Sequence, residues 1–367
     1  VSVAPPPRLT GEGLSLERRQ RFADIQSLAA VIERSYARLS QGLTHLRGSG
    51  IRGSSRWLRT VAVSRFSWVG CGARMAPMRR ALGPIRCDAA GFEALSSLAQ
   101  AVDGLAFDKL VLDMSGVSWF DADMSAPFGA LLHRTQKEFN EVELVGFPRD
   151  VEVILCRNGF LSQYGGQKLP DSFGTTVPYL HLALGDGRYF AEYVDQKLMQ
   201  NPSIPRMSDG LRKKFLESVF ELFSNAQVHS KSVAGVFSCG QHFPKKRRLV
   251  FTVSDLGIGI RQNVELFTGR TFTDADAIGW ATHERNTTRT GPVPGGLGLK
   301  LLKEFVGLNG GRLQIVSGTG YWGLSGRSEE VKTLPAPLPG VTVSIEINTA
   351  DEASYKLSTE IDAGDVF

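Results

Sequence analysis

The sequence predicts an α/β protein built from two consecutive units. Three observations predict it. Short apolar strand patterns alternate with helical patterns between residues 81 and 165, as in a small unit with a partly parallel sheet. Between residues 166 and 348, amphipathic helices alternate with strand patterns and glycine-rich turns. Residues 165–176, containing Gly, Pro and Ser, read as the linker between the two patterns.

Residues 1–80 stand apart by charge. They hold 14 Arg, no Lys and 4 acidic residues, a net +10; the remaining 28 basic and 33 acidic residues give −5, against +5 for the whole chain. Arg-rich N-termini can bind nucleic acid. Here the arginines are spaced out with no aromatic platform, and a nucleic-acid partner is not expected. Phe22, Ile25, Leu28, Ala29, Ile32, Tyr36 and Leu39 recur at helical spacing, which predicts a helix within residues 16–46. Gly, Ser and Arg dominate residues 48–74. Two readings stand side by side: a disordered basic arm, or a segment outside the natural protein, with translation starting at Met75 or Met78.

In the first unit, residues 91–101 predict a helix, 109–114 a short buried strand, 124–139 a helix, 142–146 a second strand and 151–156 the start of a further helix. The run from Val111 to Asp121, followed by a helix and then Glu143-Leu-Val-Gly, resembles a STAS domain, the anti-sigma-factor-antagonist-like module. The resemblance implies a small α/β unit that docks a protein partner. In phosphorylated members a Ser or Thr follows the Asp at the helix start. Here Ala122 follows Asp121, ahead of Asp123 and Ser125, so phosphorylation at that position is not expected. Asp121 and Asp123 also suit a helix N-terminus electrostatically.

The second unit opens with a strand at 177–184 and a helix at 189–199, broken by Asn201-Pro-Ser-Ile-Pro. Leu211, Phe215, Val219, Leu222, Phe223 and Ala226 then mark an amphipathic helix, with Ser208 placed as its N-cap. Glu217, Glu221, Asn225 and His229 follow every four residues on one polar stripe. A carboxylate and a carboxamide one turn apart suit a hydrated magnesium ion. Asn225 offers an oxygen ligand, and Glu221 can orient or deprotonate a water or hydroxyl. A solvated helix face carries the same pattern.

Leu249, Phe251 and Val253 alternate with Val250, Thr252 and Ser254, which predicts a strand. Asp255 continues its apolar face, where a carboxylate needs a donor. The exocyclic amine of adenine is such a donor; a capping Asp at a strand end is the plainer alternative. Gly257 and Gly259 permit a turn and close approach of a ligand. Upstream, Pro244-Lys-Lys-Arg-Arg248 reads as a charged hairpin turn. Gly295, Gly296, Leu297 and Gly298 run into a helix bearing Leu301, Leu302, Phe305 and Val306. Amides at such a start bind phosphate, although a flexible loop before a helix looks alike. Asn309-Gly310-Gly311 ends this helix. Strands at 312–317 and 341–347 and a loosely held acidic tail at 349–367 complete the chain.

The order and spacing of these blocks resemble the N, G1 and G2 boxes of the GHKL ATPase superfamily, which includes gyrase, Hsp90, MutL, histidine kinases and anti-sigma-factor kinases. The match spans residues 176–348. It implies the Bergerat fold, a two-layer α/β sandwich with helices on one face of a mixed sheet and ATP between them. By position, it implies Glu221 as base or water-orienting residue and Asn225 as the Mg2+ ligand. Asp255 would accept the adenine amine, and Gly257 and Gly259 would shape the adenine pocket. Gly295, Gly296, Leu297 and Gly298 would form the phosphate-contacting cluster. Residues 261–294 would be the ATP lid, with Thr287-Thr288-Arg289-Thr290-Gly291 reaching the γ-phosphate. The family's last strand often begins Gly-Thr, the Thr supporting the adenine Asp. Here it reads Gly340-Val341-Thr342, which makes Thr342 the candidate for that support.

The chain holds no apolar run near the ~20 residues that span a bilayer. Its start lacks the basic-then-apolar layout of a signal peptide. Cys71, Cys87, Cys156 and Cys239 are scattered, as reduced cytoplasmic thiols are and zinc ligands are not. Two functional classes remain. One is an enzyme that hydrolyses ATP or transfers its γ-phosphate. The other is a non-enzymatic scaffold locked by nucleotide, with the STAS-like unit docking a partner. Sites that only bind need no base, so Glu221 favours the enzyme. A sensor histidine kinase is not expected: His45, His133 and His181 lack a following acidic residue, and His283, followed by Glu284, lies in the lid. The expectation is a cytoplasmic regulatory ATPase or protein kinase using ATP and Mg2+, with a protein partner at the STAS-like unit and homodimerisation left open.

Overall fold

The computed structural model describes residues 76–230, 234–283 and 297–360. The expected helix at 16–46, the Thr287 to Gly291 run, Gly295, Gly296 and residues 361–367 lie outside that part. From residue 76 onward the chain forms one compact α/β unit.

It begins with a three-stranded parallel sheet in the order β1 (Met78–Ala81), β2 (Lys109–Asp113), β3 (Glu141–Val145). Parallel neighbours need crossovers, and these are α1 (Ala89–Ala101) and α2 (Ser125–Lys137). Asp88 caps α1 by accepting the Gly91 N–H at 2.9 Å. A third helix, α3 (Arg149–Arg157), follows. Strand β1 was not expected, because Met-Arg-Arg-Ala carries no alternation. The ladder to β2, from Met78 on Leu110 to Ala81 on Asp113, makes it a strand.

The second part contributes β4 (Thr176–Leu182), α4 (Gly187–Tyr193), β5 (Arg206–Met207), α5 (Asp209–His229), β6 (Val236–Phe243) and β7 (Arg248–Asp255). Then come α6 (Gly259–Thr268), α7 (Asp274–Thr282), α8 (Leu297–Asn309), β8 (Arg312–Ser325), β9 (Ser328–Asn348) and β10 (Ser354–Tyr355). Ser208 caps α5 as expected, its hydroxyl accepting the Leu211 N–H at 3.1 Å. Five strands form a sheet in the order β4-β6-β7-β9-β8. Every pairing in it is antiparallel, where a mixed sheet was expected.

Period-two alternation sorts the side chains of this sheet onto two faces. Leu249, Phe251 and Val253 of β7 join Phe215, Val219 and Phe223 of α5 and Phe305 and Val306 of α8 in one core. Val250, together with Phe237 and Cys239 of β6 and Tyr321 of β8, joins Phe92 and Leu95 of α1 and Phe128 and Leu131 of α2 in another. Helices α5 and α8 lie on one face of this sheet. Its second face is covered by α1 and α2, whose core also holds Leu110 and Leu112 of β2. The layers run helices, sheet, helices, sheet. Each large side chain buried at this junction contributes roughly 1.5–3 kcal/mol. The approach is close: a Cβ added to Gly129 of α2 would lie 2.2 Å from the Tyr179 hydroxyl of β4.

Strands β8 and β9 run well past the expected 312–317 and 341–347. Pro335, Pro337 and Pro339 argue against a strand in sequence. The pairing jumps from Gly318–Leu338 to Gly320–Thr333, so residues 334–337 bulge opposite Thr319 alone. In the bulge Pro335 and Pro337 are exposed, while Leu334, Ala336 and Leu338 are buried.

Residues 349–360 are not the loose tail expected. Asn309 donates its amide to the Asn348 carbonyl and the Asp351 carboxylate, both at 3.0 Å. The Tyr355 ring meets Phe305 edge-on at 5.2 Å, and Glu360 accepts from the Ser208 hydroxyl and the Leu357 N–H. Ending the chain at Asn348 is thus expected to destabilise it by about 2 kcal/mol, the worth of one half-buried aromatic and a few exposed hydrogen bonds. Urea unfolding checks this, and an unchanged midpoint would contradict it. Among the described residues no helix is long and apolar enough to cross a membrane.

Candidate functional site

The site is organised by α5, which two other blocks of chain approach. At mid-helix, the second residue of α8 meets it. The Gly298 N–H donates to Glu221 Oε2 at 2.8 Å, across 77 residues of sequence. A Cβ on Gly298 would lie 2.5 Å from that oxygen and 3.1 Å from Ser218 Cα. Only glycine admits the carboxylate there. Past the helix end, Ser230 accepts the Ile258 N–H on its carbonyl at 2.9 Å. A Cβ on Gly257 would fall 2.3 Å from Ser230 Cβ. Gly257 therefore serves the packing of α5 against the β7–α6 turn, besides any ligand.

Gly259 starts α6 with φ +81°, a left-handed value that glycine adopts freely. The next amide, Ile260 N–H, donates to the Ser317 hydroxyl at 2.9 Å, which donates in turn to the Gly340 carbonyl at 3.0 Å. Ser317 thus ties the turn to both long strands. Nothing in its local sequence marked it, since its partners come from distant segments.

Asp255 ends β7 nearly buried, at 9% exposure. Its Oδ1 accepts the Gly257 N–H at 2.6 Å. Burial pushes its pKa up to about 6, against the lowering pull of the Gly257 and Val341 amides. Thr342 does not supply the expected support. It pairs in register with Ser254, so both project to the opposite sheet face, where their hydroxyls meet at 2.8 Å. The support comes from the backbone of Val341, one residue earlier.

Asn225 lies half-buried one turn beyond Glu221, and Leu297 opens α8. Glu217, at the start of the polar stripe, makes an exposed pair with Lys214 at 2.7 Å, and the His229 side chain is outside the described part. Among the described residues no group of three or more His, Cys, Asp or Glu is poised to hold a metal.

The expected lid at 261–294 is partly a fixed structure. Residues 261–282 fold into α6 and α7. Asp274 accepts both the N–H and the hydroxyl of Thr319 at 2.8 Å and pairs with Arg261 at 3.3 Å. Gly318 and Gly320 make room, since a Cβ on either would lie 2.5 or 2.7 Å from Asp274 atoms. Ile278 is fully buried in the α5 core.

On the other sheet face, the start of α2 is sealed. Asp121, Ala122, Asp123 and Ser125 are all buried. Asp121 accepts from the Cys87 N–H at 2.9 Å, the Trp119 indole at 2.8 Å and Arg248 at 3.3 Å. Arg248 also pairs with Glu346 at 2.9 Å, and Lys246 sits 4.1 Å over the Trp119 ring. Two basic residues of the Pro244–Arg248 turn, Lys246 and Arg248, are thus engaged within the protein. Asp123 Oδ2 accepts the Thr252 hydroxyl at 3.0 Å, while its Oδ1 has no partner.

Burial and the nearby Asp121 push the Asp123 pKa up to about 7. As pH rises from about 4 to about 7, the unfolded chain ionises this group and the folded chain does not. Stability is expected to fall over that window and to remain lower above it. Asp123→Asn should flatten this part of a pH series of urea midpoints. An equal slope in the variant would contradict the assignment.

No family model and no curated protein matches this chain.

Proposed function

We propose that the chain is a Mg-ATP-binding regulatory switch of the GHKL type, an ATPase or a protein kinase. A STAS-like unit is built onto the back of its Bergerat-type sheet. One observation carries the reading. The α8 amide at Gly298 and the Asp255–Gly257 turn, distant in sequence, both converge on α5, the first of them on the Glu221 carboxylate.

Each residue has a chemical task in this reading. Asp255 accepts the exocyclic amine of adenine on a buried carboxylate, where a charged acceptor is most selective. The N-terminal amides of α8 face the phosphates. Asn225 holds Mg2+ through its side-chain oxygen; the ion supplies charge neutralisation and orientation of the phosphate oxygens. Glu221 aligns a water or an acceptor hydroxyl and takes its proton. The burial of segment 121–125 argues against that edge as a phosphate acceptor or docking point. A protein partner is proposed to use the outer surface of the three-stranded unit instead.

Titration calorimetry with ATP and ADP tests the reading. Asp255→Asn replaces an acceptor-only carboxylate with an amide and removes a buried charge-assisted bond worth ~1.5–3 kcal/mol. Affinity should drop about tenfold or more, and unchanged affinity would sink the adenine assignment. Because adenine binding needs the carboxylate form, wild-type affinity should also decline as pH falls through about 6.

A further inference from the structure

We propose that Phe107 and Phe139 form a docking plate for a partner protein that presents an apolar segment bearing Arg or Lys. The proposal rests on the partner reading above and deepens it; the nucleotide site plays no part in it. The two rings sit where β2 and β3 begin, stacked with centroids 5.1 Å apart and planes at 3°. They stand 64% and 50% exposed. Both backbones are left-handed, at φ +57° and +61°, where a bulky side chain is rare and disfavoured. Phe139 directly follows the cap of α2, the place where glycine or asparagine ordinarily ends a helix. Neither ring is needed to close these turns. The Phe107 N–H donates to the Glu138 carbonyl at 3.2 Å, and the Glu141 N–H to the Asp108 carbonyl at 2.9 Å. Buried Asn140 accepts the Asp108 N–H at 3.0 Å and donates to the Leu105 carbonyl at 2.8 Å. Phenylalanine is thus kept at two costly positions where its ring buries little. The bonded turns beneath hold both rings in place, so little order remains to be imposed on binding.

Charge around the pair selects the partner. Residues 103–109 and 134–143 carry five carboxylates against three cations. Two of those cations are already engaged. Lys109 meets Glu141 at 3.0 Å and Glu143 at 2.8 Å, and Arg134 meets Asp103 at 3.2 Å. The surplus is negative, and the outer faces of the rings attract cations as well. An arginine or lysine beside an aliphatic or aromatic residue satisfies both. A second copy of this chain would instead set the same negative surplus against itself, which opposes docking.

The test is selection of a random linear peptide library, displayed on phage, against the full chain. Recovered peptides are then titrated against wild type and the double variant Phe107→Gly, Phe139→Gly. The variant should melt within a few degrees of wild type, because relief of the left-handed backbone offsets the lost stack. A markedly lower melting temperature shows that the pair serves the fold and overturns the proposal. Recovered peptides should carry Arg or Lys beside an aliphatic or aromatic residue. They should bind the variant about tenfold or more weakly and weaken as salt is raised. No enriched peptide, or peptides without basic residues, overturns the proposal. Equal binding to the variant overturns the plate but leaves a partner elsewhere on the three-stranded unit, so the two failures are distinguishable. Sedimentation of the full chain covers the remaining occupant. A dimer that the two substitutions dissolve would place a second copy on the rings and overturn the partner chosen here.

Discussion

Glu221→Ala is expected to lower ATP turnover by ~10²–10⁴-fold, the usual contribution of a positioned general base. The fold should survive, because Glu221 is only half-buried. Nucleotide binding should persist. Asn225→Ala, one turn away, should instead weaken the magnesium-dependent part of binding. Following phosphate release and intact mass together during incubation with Mg-ATP separates the chemistries. Free phosphate without added mass means hydrolysis, and a gain of one phosphoryl group means transfer. That group will not lie on residues 121–125, which are buried under the sheet. A variant that turns over at the wild-type rate, with the partner protein supplied, would remove Glu221 as base and favour a nucleotide-locked scaffold.

The second large effect is on stability. Phe128 of α2 is fully buried, with Phe120 at 5.8 Å and Phe160 at 5.6 Å, and Phe160 continues edge-on to Tyr179 of β4 at 5.1 Å. Phe128→Ala deletes a ring from a packed junction, which typically costs ~3–5 kcal/mol. The core it leaves is shared by α1, α2 and the five-stranded sheet. The loss should therefore appear in one unfolding transition that carries both parts down together. Trp119 reports on the first part and Trp322 on the second. Two separated transitions, with the second part as stable as before, would show that the parts fold independently.

Sequence by itself determined much of the local structure and which residues gather at the site. Helical spacing from Leu211 to Ala226 and the Ser208 cap placed α5, and alternation from Leu249 to Val253 placed β7. Glycine at 257 and 298 marked positions where the chain does approach one helix closely. These are short-range signals, written in periodicity and in the conformational freedom of glycine. Tertiary structure decided the rest. Thr342 was expected beside Asp255, but a register of single residues sends it to the other face, since side chains alternate along a strand. The Met78–Ala81 strand exists only through its ladder to β2. Leu334 and Ala336 become core beside Pro335 and Pro337 because a bulge relieves the ladder of bonds that proline cannot make. The back of the sheet is covered by α1 and α2. Each helix carries one apolar stripe that must be buried, and nothing in the stripe specifies which surface, near or far in the chain, will bury it.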